Sequence, residues 1–130
     1  MERSKRNCGR ISVFKGREAR LNFAVFHILA LKGPLTIYET CKEVRTQKGL
    51  KQTKYTNVNR RIRALEESNY LEKVGTRKTQ AGFQATLYQL TQRAYLVLLL
   101  DRIDLNNFIE TANQETILAT LAALVSHTMT

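Results

Sequence analysis

Residues Tyr55 to Leu71 constrain this chain more than any other stretch. Tyr55, Val58, Ile62 and Leu65 are separated by 3, 4 and 3 residues, which sets one apolar stripe on a helix of 3.6 residues per turn. The other side of that helix carries Thr56, Asn57, Asn59, Arg60, Arg61 and Arg63. None of these is acidic, and each donates hydrogen bonds. A narrow apolar seat under a donor-rich outer face suits a helix lying in a DNA groove, where base edges offer acceptors. An ordinary amphipathic helix with a solvated basic face has the same pattern. On that reading Arg61 and Arg63 simply pair with Glu66 and Glu67, for about 0.2–0.5 kcal/mol each. The flanking sequence separates the two.

The net charge is +10, and an excess of that size implies an anionic partner such as nucleic acid or an acidic membrane surface. Residues 1–100 hold 20 Lys/Arg against 7 Asp/Glu, whereas residues 101–130 set Arg102 against Asp101, Asp104, Glu110 and Glu115. The partner-facing charge therefore belongs to the first hundred residues, and the last thirty form an apolar, mildly acidic element. With 130 residues, 43% of them hydrophobic, one domain with an appended helical segment is expected. The longest apolar run, Ala94 to Leu100, falls far short of the ~20 residues of a spanning helix. The basic N-terminus lacks the apolar stretch of a signal peptide, so a cytoplasmic protein with no membrane partner is expected. Cys8 and Cys41 stand far apart, and His27 and His127 are isolated. That spacing offers no clustered metal ligands, so neither a metal nor another cofactor is expected. Cys41 reads as a small core residue.

Along the chain, residues 1–17 form a basic N-terminal arm, either a mobile tail or an extension that tracks phosphates. Within it, Ile11–Lys15 has the pattern of a short strand. Glu18 to Leu31 predicts a first helix, ended by Gly33 and Pro34. Thr36 to about Arg45 predicts a second, opened by the capping box Thr36-Ile-Tyr-Glu39. A turn over residues 46–52, anchored by Leu50, leads to Thr53 as N-cap of the third helix, which runs to about Ser68. Asn69 then sits where the chain needs positive φ. The period switches to two over Tyr70–Thr76 and Ala85–Leu90, predicting a hairpin with a long polar tip at residues 77–84. Thr91 caps a fourth helix, Gln92 to about Leu100. Asp101 to Asn107 reads as a break, and Thr111-x-x-Gln114 as a capping box opening the last helix.

The order helix, helix, turn, helix, hairpin over residues 18–95 resembles the winged helix-turn-helix domain of MarR-type and PadR-type transcriptional regulators of bacteria and archaea. The residues that carry the resemblance are Lys32–Glu39, Val58–Leu65, Tyr70-Leu71 and Leu87–Thr91. Asn69 stands where that family usually has glycine, Ala94 where glycine often follows the Leu-Thr element, and the turn before the third helix is long. The fold class implied is mainly α with a small β-hairpin wing, followed by C-terminal helices.

The resemblance implies a sequence-specific regulator of double-stranded DNA. Its recognition helix would span about 54–68 and its basic wing about 76–84. Lys54, Thr56, Asn57 and Arg60 then reach base edges, Asn59 belongs to the same DNA-binding face, and Arg61 and Arg63 hold phosphates. Arg77 and Lys78 at the wing tip contact backbone or minor groove. Thr36, at the N-terminus of the second helix, offers backbone amides to a phosphate. Residues 96–130 are expected to form a homodimer interface from Leu96, Leu99, Leu100, Ile117, Leu118, Leu121 and Leu124, unless that segment folds back on its own domain. The alternatives are a winged-helix protein-interaction module in a larger nucleic-acid-associated assembly, and a binder of duplex RNA. No nucleophile–base pair or phosphate loop marks an enzyme. The sequence does not specify an operator or a small-molecule effector.

Overall fold

The computed structural model describes residues 11–128. A 3-10 turn at Ser12–Phe14 precedes helices α1 (Ala19–Lys32), α2 (Ile37–Val44) and α3 (Tyr55–Glu67). The antiparallel strands β1 (Leu71–Lys78) and β2 (Gln84–Leu90) follow, then α4 (Gln92–Arg102), α5 (Leu105–Thr111) and α6 (Gln114–Thr128). The chain divides into two units between Leu99 and Leu100.

Local chemistry sets the boundaries in the first unit. Gly33 takes φ +75 and donates its N–H to the Leu29 carbonyl, closing α1. Thr36 and Glu39 form the expected reciprocal capping box at α2, with bonds of 3.1 and 3.0 Å. Asn69 adopts φ +68 after α3, and Tyr70 N–H turns back to the Leu65 carbonyl at 2.9 Å. Val58, Ile62 and Leu65 of α3 are buried against Val25, Phe26 and Leu29 of α1 and Cys41 and Val44 of α2. Leu71, Tyr88 and Leu90 close the core from the hairpin, and Ala94 and Val97 from α4. The register shifts between Lys73 and Gly75, where the glycine takes φ +152 and β1 bulges. A separate bridge pairs Leu35 with Tyr88 through bonds of 3.1 and 2.9 Å. It ties the link between α1 and α2 to the hairpin.

In the second unit, Asp104 caps α5 by accepting from Asn107 N–H, and Asn113 caps α6 by accepting from Thr116 N–H at 2.8 Å. No helix among the described residues is long and apolar enough to cross a membrane.

Several expectations need correction. Ile11–Lys15 is not a strand: a 3-10 turn drives Phe14 into the core, edge-on to Phe26 at 5.1 Å and Phe23 at 5.5 Å. The rest of the arm, residues 1–10, lies outside the described residues. Thr53 does not cap α3, because its hydroxyl donates to the Leu50 carbonyl at 2.7 Å; Lys54 is the N-cap, without a side-chain bond. Tyr55 is 41% exposed, since the first turn of α3 projects past the core. The strands are longer than predicted, leaving a tip of residues 79–83 closed by Thr79 N–H on the Phe83 carbonyl. The break at 101–107 is mostly helical, and Thr111 ends α5, its hydroxyl donating to the Asn107 carbonyl.

Candidate nucleic-acid interface

Burial of Val58, Ile62 and Leu65 fixes the rotation of α3, and therefore which residues face outward. Lys54, Thr56, Arg60 and Arg63 are exposed, and Asn57 and Asn59 half-buried. Two side-chain pairs organise this face. Arg60 Nη2 donates to Asn57 Oδ1 at 2.9 Å, and Arg63 Nε to Asn59 Oδ1 at 2.8 Å. Each pair spans one helical turn, so the asparagine holds the guanidinium in place. A guanidinium has five N–H donors and each bond uses one; each asparagine keeps both amide protons. Two arginine forks and two amide groups are thereby displayed side by side.

Arg61 stands apart from this group. Its Nε donates to Asn22 Oδ1 at 3.0 Å and lies 3.9 Å from a Glu18 carboxylate oxygen, with the side chain 20% exposed. Asn22, itself buried, donates to the Val13 carbonyl at 2.9 Å. The chain Arg61–Asn22–Val13 joins α3 to α1 and to the 3-10 turn. Among the described residues neither Arg61 nor Arg63 pairs with Glu66 or Glu67, and Glu66 lies 3.7 Å from Lys73.

Thr36 is buried; its N–H donates to Glu39 Oε1, its hydroxyl accepts from Glu39 N–H, and its carbonyl accepts from Thr40. The carboxylate of Glu39 thus occupies the Thr36 amide. It also reaches the hairpin: Glu39 Oε2 lies 3.4 Å from Arg77 Nη1, and Arg77 Nη2 is 3.5 Å from the Pro34 carbonyl. Arg77 and Lys78 are the last residues of β1 rather than the tip, and Lys78 is exposed.

The hairpin and helices share concave surface. A groove of about 540 Å³ is lined by Tyr38, Glu39 and Lys42 of α2 and by Arg77 and Lys78 of β1, among others. A neighbouring concavity brings Tyr38, Tyr55 and Arg63 beside Ala85 and Thr86 of β2. Arg63 also borders a shallow groove along α3 with Thr56, Asn59 and Arg60. Neighbouring hollows share lining residues: Tyr38 lines the first two, and Arg63 the last two. Sequence reasoning missed Tyr38 and Lys42, which stack as a cation–π pair at 5.7 Å. The signal was present: they lie four apart, off the apolar stripe of Ile37, Cys41 and Val44. Among the described residues no group of three His, Cys, Asp or Glu is placed to hold a metal.

No family model and no curated protein matches the sequence. Solved structures do match in shape. YodB from B. subtilis, after diamide treatment, superposes with a TM-score of 0.53 at 14% identity, over 79% of this chain and 88% of its own. A PadR-like transcriptional regulator from Bacillus cereus gives 0.53 at 10% identity, over 85% of this chain and 97% of its own. The fold is a winged helix. At such identities the likeness extends to the fold, with α2, the turn and α3 as the helix-turn-helix and β1–β2 as the wing.

Proposed function

We propose that this chain is a sequence-specific double-stranded DNA-binding transcriptional regulator that lays the outer face of α3 in the major groove. The observation that carries the reading is the pair of Asn-held arginines, Asn57–Arg60 and Asn59–Arg63, with Arg63 also lining the hollow beside Ala85 and Thr86 of the wing. Arginine matches guanine and asparagine matches adenine, each good pair contributing roughly 1–3 kcal/mol of discrimination. Thr56 and Lys54 flank them. Lys42, Arg77 and Lys78 line the wing side and suit phosphates. Thr36 serves as a helix cap and Arg61 as a brace behind the reading face, so neither is assigned to DNA. The PadR-like protein of similar fold, a transcriptional regulator, supports the same reading.

The regulator acts as a homodimer. Leu96, Leu99 and Leu100 of α4 and Leu118, Leu121 and Leu124 of α6 are 42–58% exposed, and Ile117 is 37% exposed. So much aliphatic surface in one short segment fits a partner copy. A two-fold dimer calls for a palindromic operator with half-sites about one helical turn apart. The working compartment is the cytoplasm.

Fluorescence anisotropy with duplex DNA across a salt series tests this. About six phosphate contacts give a slope of log K against log salt near −5. Arg60→Ala should weaken specific binding about ten-fold. Absence of wild-type binding at low salt removes the DNA reading, and equal binding to duplex RNA replaces it with recognition by shape.

A further inference from the structure

From Val44 to Leu65 the sequence contains seven Lys/Arg and no acidic residue. Part of that charge lies on α3, and part lies in the turn before it. Arg45 is spent within the turn, its Nε donating to the Thr53 carbonyl at 2.9 Å. Lys48, Lys51 and Lys54 are exposed, and among the described residues no ion pair includes them. The nearest preceding acid, Glu43, lies 3.4 Å from Lys32.

The turn is long yet firmly built. The amides of Thr46, Gln47, Leu50 and Thr53 each find a carbonyl three residues back, and the Leu50 side chain packs on the core. Gly49 reverses the chain at φ +83, and the Arg20 guanidinium lies where a Cβ on Gly49 would go. Arg20 Nη2 also approaches the Lys48 carbonyl at 3.5 Å. Two arginines thus brace the backbone from which the lysines project.

We propose that this turn is a second phosphate-contacting lobe, in which Lys48 and Lys51 extend the DNA footprint past the N-terminus of α3. The proposal rests on the DNA-binding reading above. Lys51 lies three residues before Lys54, so their Cα atoms are no more than about 11 Å apart. A residue that close to the start of a groove-bound helix meets the rim of the groove, where the phosphates run. Lysine acts there as a flexible point charge, matched to phosphate rather than to a base edge. Among the described residues Lys48 and Lys51 have no ion pair to break on binding, whereas Arg77 must leave Glu39. The lobe therefore adds affinity without adding sequence preference.

The test compares wild type, Lys48→Ala/Lys51→Ala, and a charge-matched control, Arg93→Ala/Arg102→Ala, by anisotropy across salt on one duplex and on a scrambled one. The lysine pair should flatten the salt slope by about 2 and weaken both duplexes by a similar factor, roughly ten-fold or more at 0.1 M salt. The control should leave the slope unchanged. A wild-type-like slope in the lysine variant, or an equal drop in the control, overturns the lobe while leaving the recognition helix standing. Failure of wild type to bind either duplex overturns both. Circular dichroism on each variant confirms the fold, which exposed lysines do not support.

Discussion

Arg60 and Arg61 are adjacent in sequence but differently placed, one exposed and the other bonded to buried Asn22, so separate substitutions should have opposite consequences. In Arg61→Ala the Oδ1 of Asn22 loses its donor inside a site where Asn22 is only 3% exposed. A buried acceptor left unpaired costs about 1–3 kcal/mol. The Glu18 contact adds little, because both side chains are partly in water and the separation is 3.9 Å. Water entering from the shallow hollow beside Ser12 and Lys15 offsets part of the loss. The net is about 1–2 kcal/mol. For a unit of about 90 residues, at ~2.1 cal/mol/K per residue, that lowers Tm by about 5–10 °C. Arg60 is exposed and, among the described residues, bonded only to Asn57, so Arg60→Ala should melt within about 2 °C of wild type. The assay is a thermal melt by circular dichroism paired with anisotropy at a temperature where both variants are folded. Arg61→Ala should bind DNA within about two-fold of wild type, and Arg60→Ala about ten-fold more weakly. If Arg61→Ala melts like wild type and loses DNA binding, the brace is wrong and Arg61 is a direct ligand.

Three further outcomes follow from the same reasoning. Thr36→Ala removes the cap of α2 and should cost about 1 kcal/mol, seen as a lower urea midpoint with an unchanged m-value. Asn69→Gly should be neutral or stabilising by up to about 1 kcal/mol in the same assay, because φ +68 suits glycine better; a clear loss means the Asn69 side chain has another task. Leu118→Glu with Leu121→Glu should shift the chain to monomer in sedimentation velocity while leaving the melting of the first unit in place, and an unchanged dimer moves the interface elsewhere.

Most of the helical framework was legible because its signals are local. The capping box at Thr36, the stop at Gly33 and the left-handed Asn69 each depend on residues within one turn, and each appears as expected. The misreadings share a different cause. Ile11–Lys15 alternates like a strand, but with no strand beside it among the described residues the buried Phe14 decides its conformation. Tyr55 belongs to the apolar stripe by spacing, yet a stripe does not say where the core ends. The candidate site divides along the same line. The outer face of α3 follows from helical period alone. The turning of Arg61 toward Asn22 joins residues 39 apart in sequence, and the Glu39–Arg77 contact joins a helix start to a wing. Periodicity carries no information about such long-range partners.

The bridge between Leu35 and Tyr88 has a consequence for solubility. A two-stranded ribbon has two open edges, and an open edge is a template on which further chains can stack. At the centre of β2, both backbone groups of Tyr88 are already taken by Leu35. The residue before Leu35 is Pro34, which has no N–H with which to continue a ladder. The outer edge of β2 is thus plugged by a segment that cannot grow into a strand. One of the ribbon's two edges is thereby closed to stacking at Tyr88, and on the other strand Glu72, Lys73, Arg77 and Lys78 set charges that discourage it.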